Sequence, residues 1–278
     1  MIIWIASYPK SGNTWLRSFI CSYYFTDKGS FNFELLRNIE QYPQKKFFSE
    51  KITKPGEISN YWKESQKRII QNKKNHFFKT HNNFMEINGK SFTDANLTLG
   101  VVYIIRDPRN VITSINNHFN LDYKESLKFM INERKYIHDD REDDYADFHF
   151  LSSWSNHYKS WVNAKEFNKL VIKYEDLERN TYNTFFKIIN FINKLLKIND
   201  EPNKKKIQNS INSTNFENLK KLEKKHGFNE SVVGGKTKEK INFFNMGSSN
   251  QWKKVIPKEY HYEINKSFEN DLNFLGYN

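Results

Sequence analysis

Residues 2–24 hold the tightest constraint on this chain. Ile2-Ile3-Trp4-Ile5-Ala6 is a short apolar run rich in β-branched residues, the pattern of a buried strand. Ser7-Tyr8-Pro9-Lys10-Ser11-Gly12-Asn13-Thr14 follows, and residues 15–24 then carry apolar side chains at helical spacing. A strand therefore feeds a glycine-containing turn, and the turn opens a helix. The first N–H groups of a helix lack intrahelical partners and have the helix dipole behind them, so the turn favours an anion. Lys10, Ser11, Asn13 and Thr14 add side-chain donors around Gly12, which together predict a phosphate cradle. It is not the nucleoside-triphosphate loop, whose lysine follows the second glycine of G-x-x-x-x-G-K-[ST]. Here Lys10 precedes the only glycine, and Asn13 stands where that lysine would be.

Three further segments read as strands that end in polar residues. His76-Phe77-Phe78-Lys79-Thr80-His81 is short and aromatic, and follows a helical pattern over 57–72. Gly100-Val101-Val102-Tyr103-Ile104-Ile105 is apolar on both faces, as in a parallel sheet covered on both sides. It runs into Arg106-Asp107-Pro108-Arg109-Asn110 and then a helix bearing Ser114. An arginine at the end of a buried strand is costly unless it meets an anion; the structural alternative is a pair with a carboxylate such as Asp107. Leu170-Val171-Ile172-Lys173 precedes Tyr174-Glu175-Asp176-Leu177. In an open parallel sheet, ligands bind beyond the carboxyl ends of the strands, which is where Lys79, His81 and Arg106 would sit. Trp154, Tyr158 and Trp161 fall at i, i+4 and i+7, the buried face of one helix, with His157 packed beside them.

Tyr8-Pro9-Lys10-Ser11-Gly12-Asn13-Thr14-Trp15 resembles the 5′-phosphosulfate loop of sulfotransferases, Y-P-K-S-G-T-T-W, with Asn13 for the first threonine. Lys79-Thr80-His81, Arg106 to Ser114, Trp154 to Trp161, Tyr174-Glu175-Asp176, Ser213-Thr214-Asn215-Phe216 and Gly247…Trp252-Lys253 match further motifs in family order, across nearly the whole chain. The resemblance implies one α/β domain over residues 1–278, P-loop-like, with a central parallel sheet flanked by helices. It implies 3′-phosphoadenosine 5′-phosphosulfate (PAPS) as co-substrate, PAP as product and no metal. His81 becomes the general base, Lys79 touches the sulfonate, and Lys10 with Ser11, Gly12, Asn13 and Thr14 holds the phosphosulfate. Arg106 and Ser114 take the 3′-phosphate, and Trp15, Tyr174, Thr214, Phe216 and Gly247 border the adenine nucleotide. One motif departs from the family: Asn245 and Met246 replace an Arg-Lys pair and Asn250 replaces a glycine. Lys236, Lys238 or Lys240 are the candidates to supply the missing charge. A kinase-like nucleotide binder and a catalytically silent PAP or polyanion binder are the rival readings.

Composition sets the outer limits. The formal charge of +12 suits a polyanionic ligand, but an abundance of Lys, Asn, Ile, Phe and Tyr is also what an AT-rich genome imposes, and no nucleic-acid module is recognisable. Cys21 is the single cysteine, which excludes an intrachain disulfide and a cysteine-cluster metal site. No apolar run approaches a membrane span and no signal peptide precedes the first strand, so a cytoplasmic protein is expected. The acceptor, a small molecule or glycan, is not legible. Its pocket is expected from segments 32–54, 120–148 and 227–240, the last read as a mobile surface loop. Phe31, Tyr42, Phe47, Phe48, Tyr123 and Tyr136 are candidates either to line it or to pack in the core.

Overall fold

The computed structural model describes residues 1–139, 141–233 and 240–277. Five parallel strands make the central sheet: β1 (Ile2–Ala6), β2 (Ile39–Gln41), β3 (His76–Thr80), β4 (Thr98–Ile105) and β5 (Lys169–Lys173), in the order β2-β3-β1-β4-β5. β1 is central, with Ala6 opposite both Thr80 of β3 and Tyr103 of β4. Since every strand runs the same way, the loops after β1, β3 and β4 emerge at one edge. That is the geometry of an open α/β sheet with a ligand crevice beyond the strand ends.

The helices are α1 (Asn13–Tyr24), α2 (Trp62–Ile70), α3 (Pro108–Phe119), α4 (Tyr123–Ile131), α5 (Trp154–Asn163), α6 (Tyr174–Arg179), α7 (Thr181–Leu196), α8 (Lys204–Ser213), α9 (Phe216–His226), α10 (Trp252–Val255), α11 (His261–Ser267) and α12 (Glu269–Leu275). Strand side chains alternate between faces, so β1 feeds two cores. Ile3 and Ile5 join Leu16, Phe19 and Ile20 of α1, Phe185 and Ile188 of α7 and Ile207 of α8. Ile2 and Trp4 join Trp62 of α2, Val111 and Ile115 of α3 and the Trp154, Tyr158 and Trp161 face of α5. Cys21 is buried in the first of these layers. Among the described residues no helix is long and apolar enough to cross a membrane.

Two helices differ from the sequence reading. The segment 57–72 begins as a 3₁₀ turn, Pro55–Asn60, and becomes α-helical only from Trp62, because Pro55 and Gly56 set a tight entry. The sequence of 257–276 reads as one terminal amphipathic helix, whereas the structure divides it into α11 and α12 at Phe268. Phe268 leaves helical geometry to bury its ring 5.5 Å from that of Trp154, and Asp271 beyond it accepts the Tyr158 hydroxyl at 2.7 Å.

The C-terminal helices are tied to the loop after β4 through Arg109. Its guanidinium meets the Asp107 carboxylate at 2.8 and 2.9 Å, donates to Asn265 Oδ1 at 3.0 Å, and reaches the Tyr277 carbonyl. Arg109 and Asp107 are both buried. Removing the cation leaves a buried carboxylate without its partner, so Arg109→Ala is expected to lower stability by about 3–5 kcal/mol in denaturant unfolding. A loss under about 1 kcal/mol would mean that the pair is solvated and holds nothing.

Candidate active site

The loop after β1 closes on Gly12, whose φ is +96° and whose missing Cβ would stand 2.3 Å from the Tyr174 ring. Only glycine fits there, on both backbone and steric grounds. Asn13 does not act as the sequence suggests. Its amide nitrogen donates to the Ile5 carbonyl at 3.0 Å and the Ser7 hydroxyl at 3.2 Å, so the donor is spent on tying the loop to β1 instead of facing a phosphate. Ser11 is fully buried, its hydroxyl has no protein partner, and it stands behind the cavity wall. Thr14 Oγ1 donates to Glu230 at 3.1 Å.

Lys10 Nζ lies 3.4 Å from Nδ1 of His118 and 3.7 Å above the centre of the Phe243 ring. Burial pulls its ammonium down to about 7, with Lys79 and Arg106 adding repulsion against the attraction of Glu230. Burial, with help from Lys10, likewise takes His118 down to about 3, so its neutral ring can accept from the ammonium.

At the end of β3, Lys79 is buried and pairs with Glu230 at 3.1 Å. His81 Nδ1 lies 2.8 Å from the Ser7 carbonyl, which can only accept. That contact fixes the proton on Nδ1 and leaves Nε2 as the basic nitrogen of a neutral ring. Burial first, and Lys79 second, hold the imidazole well below its ordinary range. Behind it, His157 bridges the Tyr103 hydroxyl at 2.8 Å and the His81 carbonyl at 3.0 Å. The packed role that the helix pattern predicts for His157 is the one it has.

At the end of β4, the Arg106 guanidinium lies 4.1 Å over the Tyr174 ring and donates from Nη1 to the Lys10 carbonyl at 3.3 Å. Its Nε has no protein partner. Asp107 is taken by Arg109, so the ion-pair alternative for Arg106 is not realised. Ser114 Oγ accepts from Asn250 Nδ2 at 3.2 Å, while Asn250 Oδ1 accepts from Thr113 at 2.6 Å. Asn250, which the motif comparison counted as a departure, thus pins the Gly247 segment to α3. Glu175 orients neighbours, accepting from the Asp107 N–H and the Tyr277 hydroxyl, each at 3.0 Å.

These side chains border one cavity of about 550 Å³. Lys10, Gly12, Asn13, Thr14, Trp15, Lys79, His81, Arg106, Ser114, Tyr174, Phe216 and Gly247 all reach its wall. Thr214 does not: it ends α8, fully buried, with its hydroxyl donating to the Ser210 carbonyl at 2.7 Å. Gly247 has φ +54°, and a Cβ there would meet the Phe216 ring at 2.7 Å, so backbone and ring pack face to face. Phe119, Ile137, Phe243, Phe244 and Met246 supply the apolar wall. None of the six candidate aromatics reaches the cavity; Tyr42, Phe47 and Phe48 pack with Trp4 and Phe78 in the core. Lys236 and Lys238 lie outside the described residues, as does the side chain of Lys240. Sequence reasoning missed Gln41, His118, His149 and Glu230 on the cavity wall, and Arg17, which pairs with Glu230 at 2.9 Å without reaching the wall. Of these only Arg17 and His118 carried a signal, each one helical turn beyond a motif residue (Thr14 and Ser114).

Among known proteins, the chain is 24% identical to flavonol 4′-sulfotransferase of Flaveria chlorifolia over 282 residues, covering 99% of this chain and 80% of that one. It is 22% identical to luciferin sulfotransferase of Photinus pyralis, covering 78% and 56%. Among solved structures, retinol dehydratase bound to androsterone and PAP superposes with a TM-score of 0.61 at 18% identity, covering 98% and 80%. A mouse sulfotransferase complexed with PAP gives 0.55 at 18%, covering 98% and 84%. The five-stranded parallel sheet flanked by helices is their fold. The sulfotransferase domain model matches residues 2–276, and the chain belongs to the sulfotransferase family.

Proposed function

We propose that this protein transfers a sulfonate from PAPS to the hydroxyl, or amine, of a small acceptor. The observation that carries the proposal is the meeting, in one cavity, of the Gly12 turn with Lys10 and Thr14, of Arg106 and Ser114, and of a histidine whose Nε2 is unengaged. The residues fit the nucleotide. Arg106, on the cavity wall, has a buried Nε with no protein partner, and Gly12 admits no side chain. When bound, PAPS supplies a sulfonate already activated on a phosphate leaving group.

The chain's own residues divide the remaining work. Lys10, Thr14 and the amides of the loop would hold the 5′-phosphosulfate, with positive charge where the leaving oxygen becomes anionic. Lys79 would steady the sulfonate oxygens. His81 Nε2 would receive the acceptor's proton as its oxygen bonds to sulfur, and the Ser7 carbonyl stabilises the imidazolium that results. His157 positions His81 from behind. Arg106 and Ser114 would bind the 3′-phosphate, and Trp15, Tyr174 and Phe216 would border the adenine. Asn245 and Met246 add no charge to this second site, so the contribution of Arg106 is correspondingly larger. The apolar wall around Phe119, Phe243 and Met246 supports a small apolar alcohol or phenol over a glycan, in keeping with the flavonol and luciferin named for the relatives.

Calorimetry tests the nucleotide. PAP is expected to bind roughly tenfold to a hundredfold tighter than ADP without metal, the worth of a charge-assisted hydrogen bond. Equal affinities would reject the 3′-phosphate site. His81→Ala is expected to lower turnover by about 10²–10⁴ while PAP binding persists; retained turnover would remove the base. Lys10 gives a pH signature. Its ammonium titrates at about 7 in the free protein, and a bound anion raises that value. Between about pH 7 and that raised value binding must take up a proton, so PAP affinity falls by up to about tenfold per pH unit; well below pH 7, and above the raised value, Lys10 contributes no pH dependence. Calorimetry at about pH 8 in two buffers of different ionisation enthalpy should show uptake approaching one proton, lost in Lys10→Met. No uptake in the unaltered protein would remove Lys10 from the phosphate contact.

A further inference from the structure

We propose that Arg17 belongs to the anion cradle, and that Glu230 is an internal anion which the phosphosulfate must displace from Thr14, Arg17 and Lys79. The proposal rests on the nucleotide reading above and adds the residue that decides which anions the cradle accepts.

Glu230 Oε1 lies 2.9 Å from Arg17 Nη2 and 3.1 Å from Lys79 Nζ, and Oε2 accepts from Thr14 Oγ1 at 3.1 Å. Two of these three donors, Thr14 and Lys79, are the ones assigned to the phosphosulfate. The third, Arg17, lies one turn beyond Thr14 on α1, with only 6% of its side chain exposed. A guanidinium so buried needs an anion, and its Nε has no protein partner at all. The Glu230 carboxylate sits on three convergent donors, the arrangement that a phosphate oxygen would meet in its place. Burial acts to raise the Glu230 carboxyl, but Arg17 and then Lys79 outweigh it and hold the group ionised.

A carboxylate and a phosphosulfate cannot share these donors, because both are acceptor-only and of like charge. Glu230 can yield without moving the chain. Its side chain is about a quarter exposed, while its backbone is held on both sides. Phe228 is buried between Phe33 and Phe244, and the Ser231 hydroxyl donates to the buried Glu223 carboxylate at 2.6 Å. Glu223 also accepts from the N–H groups of Phe243 and Phe244 at 2.7 and 2.9 Å, which fixes the neighbouring wall. A change of side-chain rotamer therefore suffices. The consequence is selection. An anion that offers one contact point must match Glu230, whereas a nucleotide also engages Arg106 and Ser114 and so outcompetes it.

Calorimetric titration with inorganic pyrophosphate, and separately with PAP, tests this on the unaltered protein, Glu230→Gln and Arg17→Gln. Glu230→Gln is expected to bind both probes at least about tenfold tighter, the gain of about one charged contact. Arg17→Gln is expected to bind both more weakly. Unchanged or weaker binding in Glu230→Gln overturns the competition. Unchanged or tighter binding in Arg17→Gln overturns the cradle role and leaves Arg17 as a partner of Glu230 only. Should Glu230→Gln fail to fold, Glu230→Asp, one methylene shorter, carries the same expectation with the charge kept. The pyrophosphate titrations do not involve the 3′-phosphate site. They therefore stand even if PAP and ADP bind alike, the result that would reject the nucleotide reading itself.

Discussion

The organising constraint of this structure is the placement of buried cations at the carboxyl edge of a parallel sheet. Lys10, Arg17, Lys79 and Arg106 come from the ends of three adjacent strands and the first turns of α1; Arg17, Lys79 and Arg106 are buried and Lys10 is half-buried. Burying a charge without a partner costs far more than any one contact returns, and like charges nearby raise the cost. Glu230 is the carboxylate that meets two of them directly. The depressed Lys10 ammonium and the neutral His81 and His118 rings follow from the same constraint.

Much of the remaining chain keeps those cations in position. Asn13 spends its amide on β1, so the loop cannot peel away from the strand that presents it. Asp107, whose charge would otherwise attract Arg106, is committed to Arg109, and through Arg109 to the C-terminal helices. Asn250 links Thr113 and Ser114 to the Gly247 segment, and Glu223 does the same for Phe243 and Phe244. Asn13, Asn250 and the Asp107–Arg109 pair are uncharged or neutralised groups in direct contact with functional ones. They set geometry without adding positive charge to a region that already has an excess, and the Glu223 carboxylate does so through neutral donors.

The frame of the site was legible from sequence because its parts are local. Strand, turn and helix follow one another at 2–24 and at 98–119, His81 directly follows the strand at 76–80, and a parallel sheet brings their ends together. The misses are long-range or depend on side-chain direction. Glu230 is 213 residues from Arg17, and nothing in Asn229-Glu230-Ser231 distinguishes it from a solvated carboxylate. Asn13 was misread because its residue type permits either a phosphate contact or a backbone contact, and only the distance to Ile5 decides between them. Thr214 shares a motif with Phe216, yet the last turn of α8 points its hydroxyl at Ser210 while α9 carries Phe216 to the cavity. Five of the six candidate aromatics lost to core packing for the same reason, a ring signalling burial and not the surface it is buried against, while Tyr136 stays exposed.

Under the proposed reading, positive charge is spread unevenly along the nucleotide site. Asn245 and Met246 bring no cation to the end where Arg106 stands, while Lys10, Arg17 and Lys79 cluster at the reacting end. There a cation opposes charge that develops during transfer, whereas a cation at the 3′-phosphate strengthens the ground state and the transition state alike. A buried cation beside the cradle has its own hazard, because it makes the site attractive to any small oxyanion. Glu230 answers that hazard by occupying Arg17 directly, and leaves the distant Arg106 contact to decide which ligand can displace it.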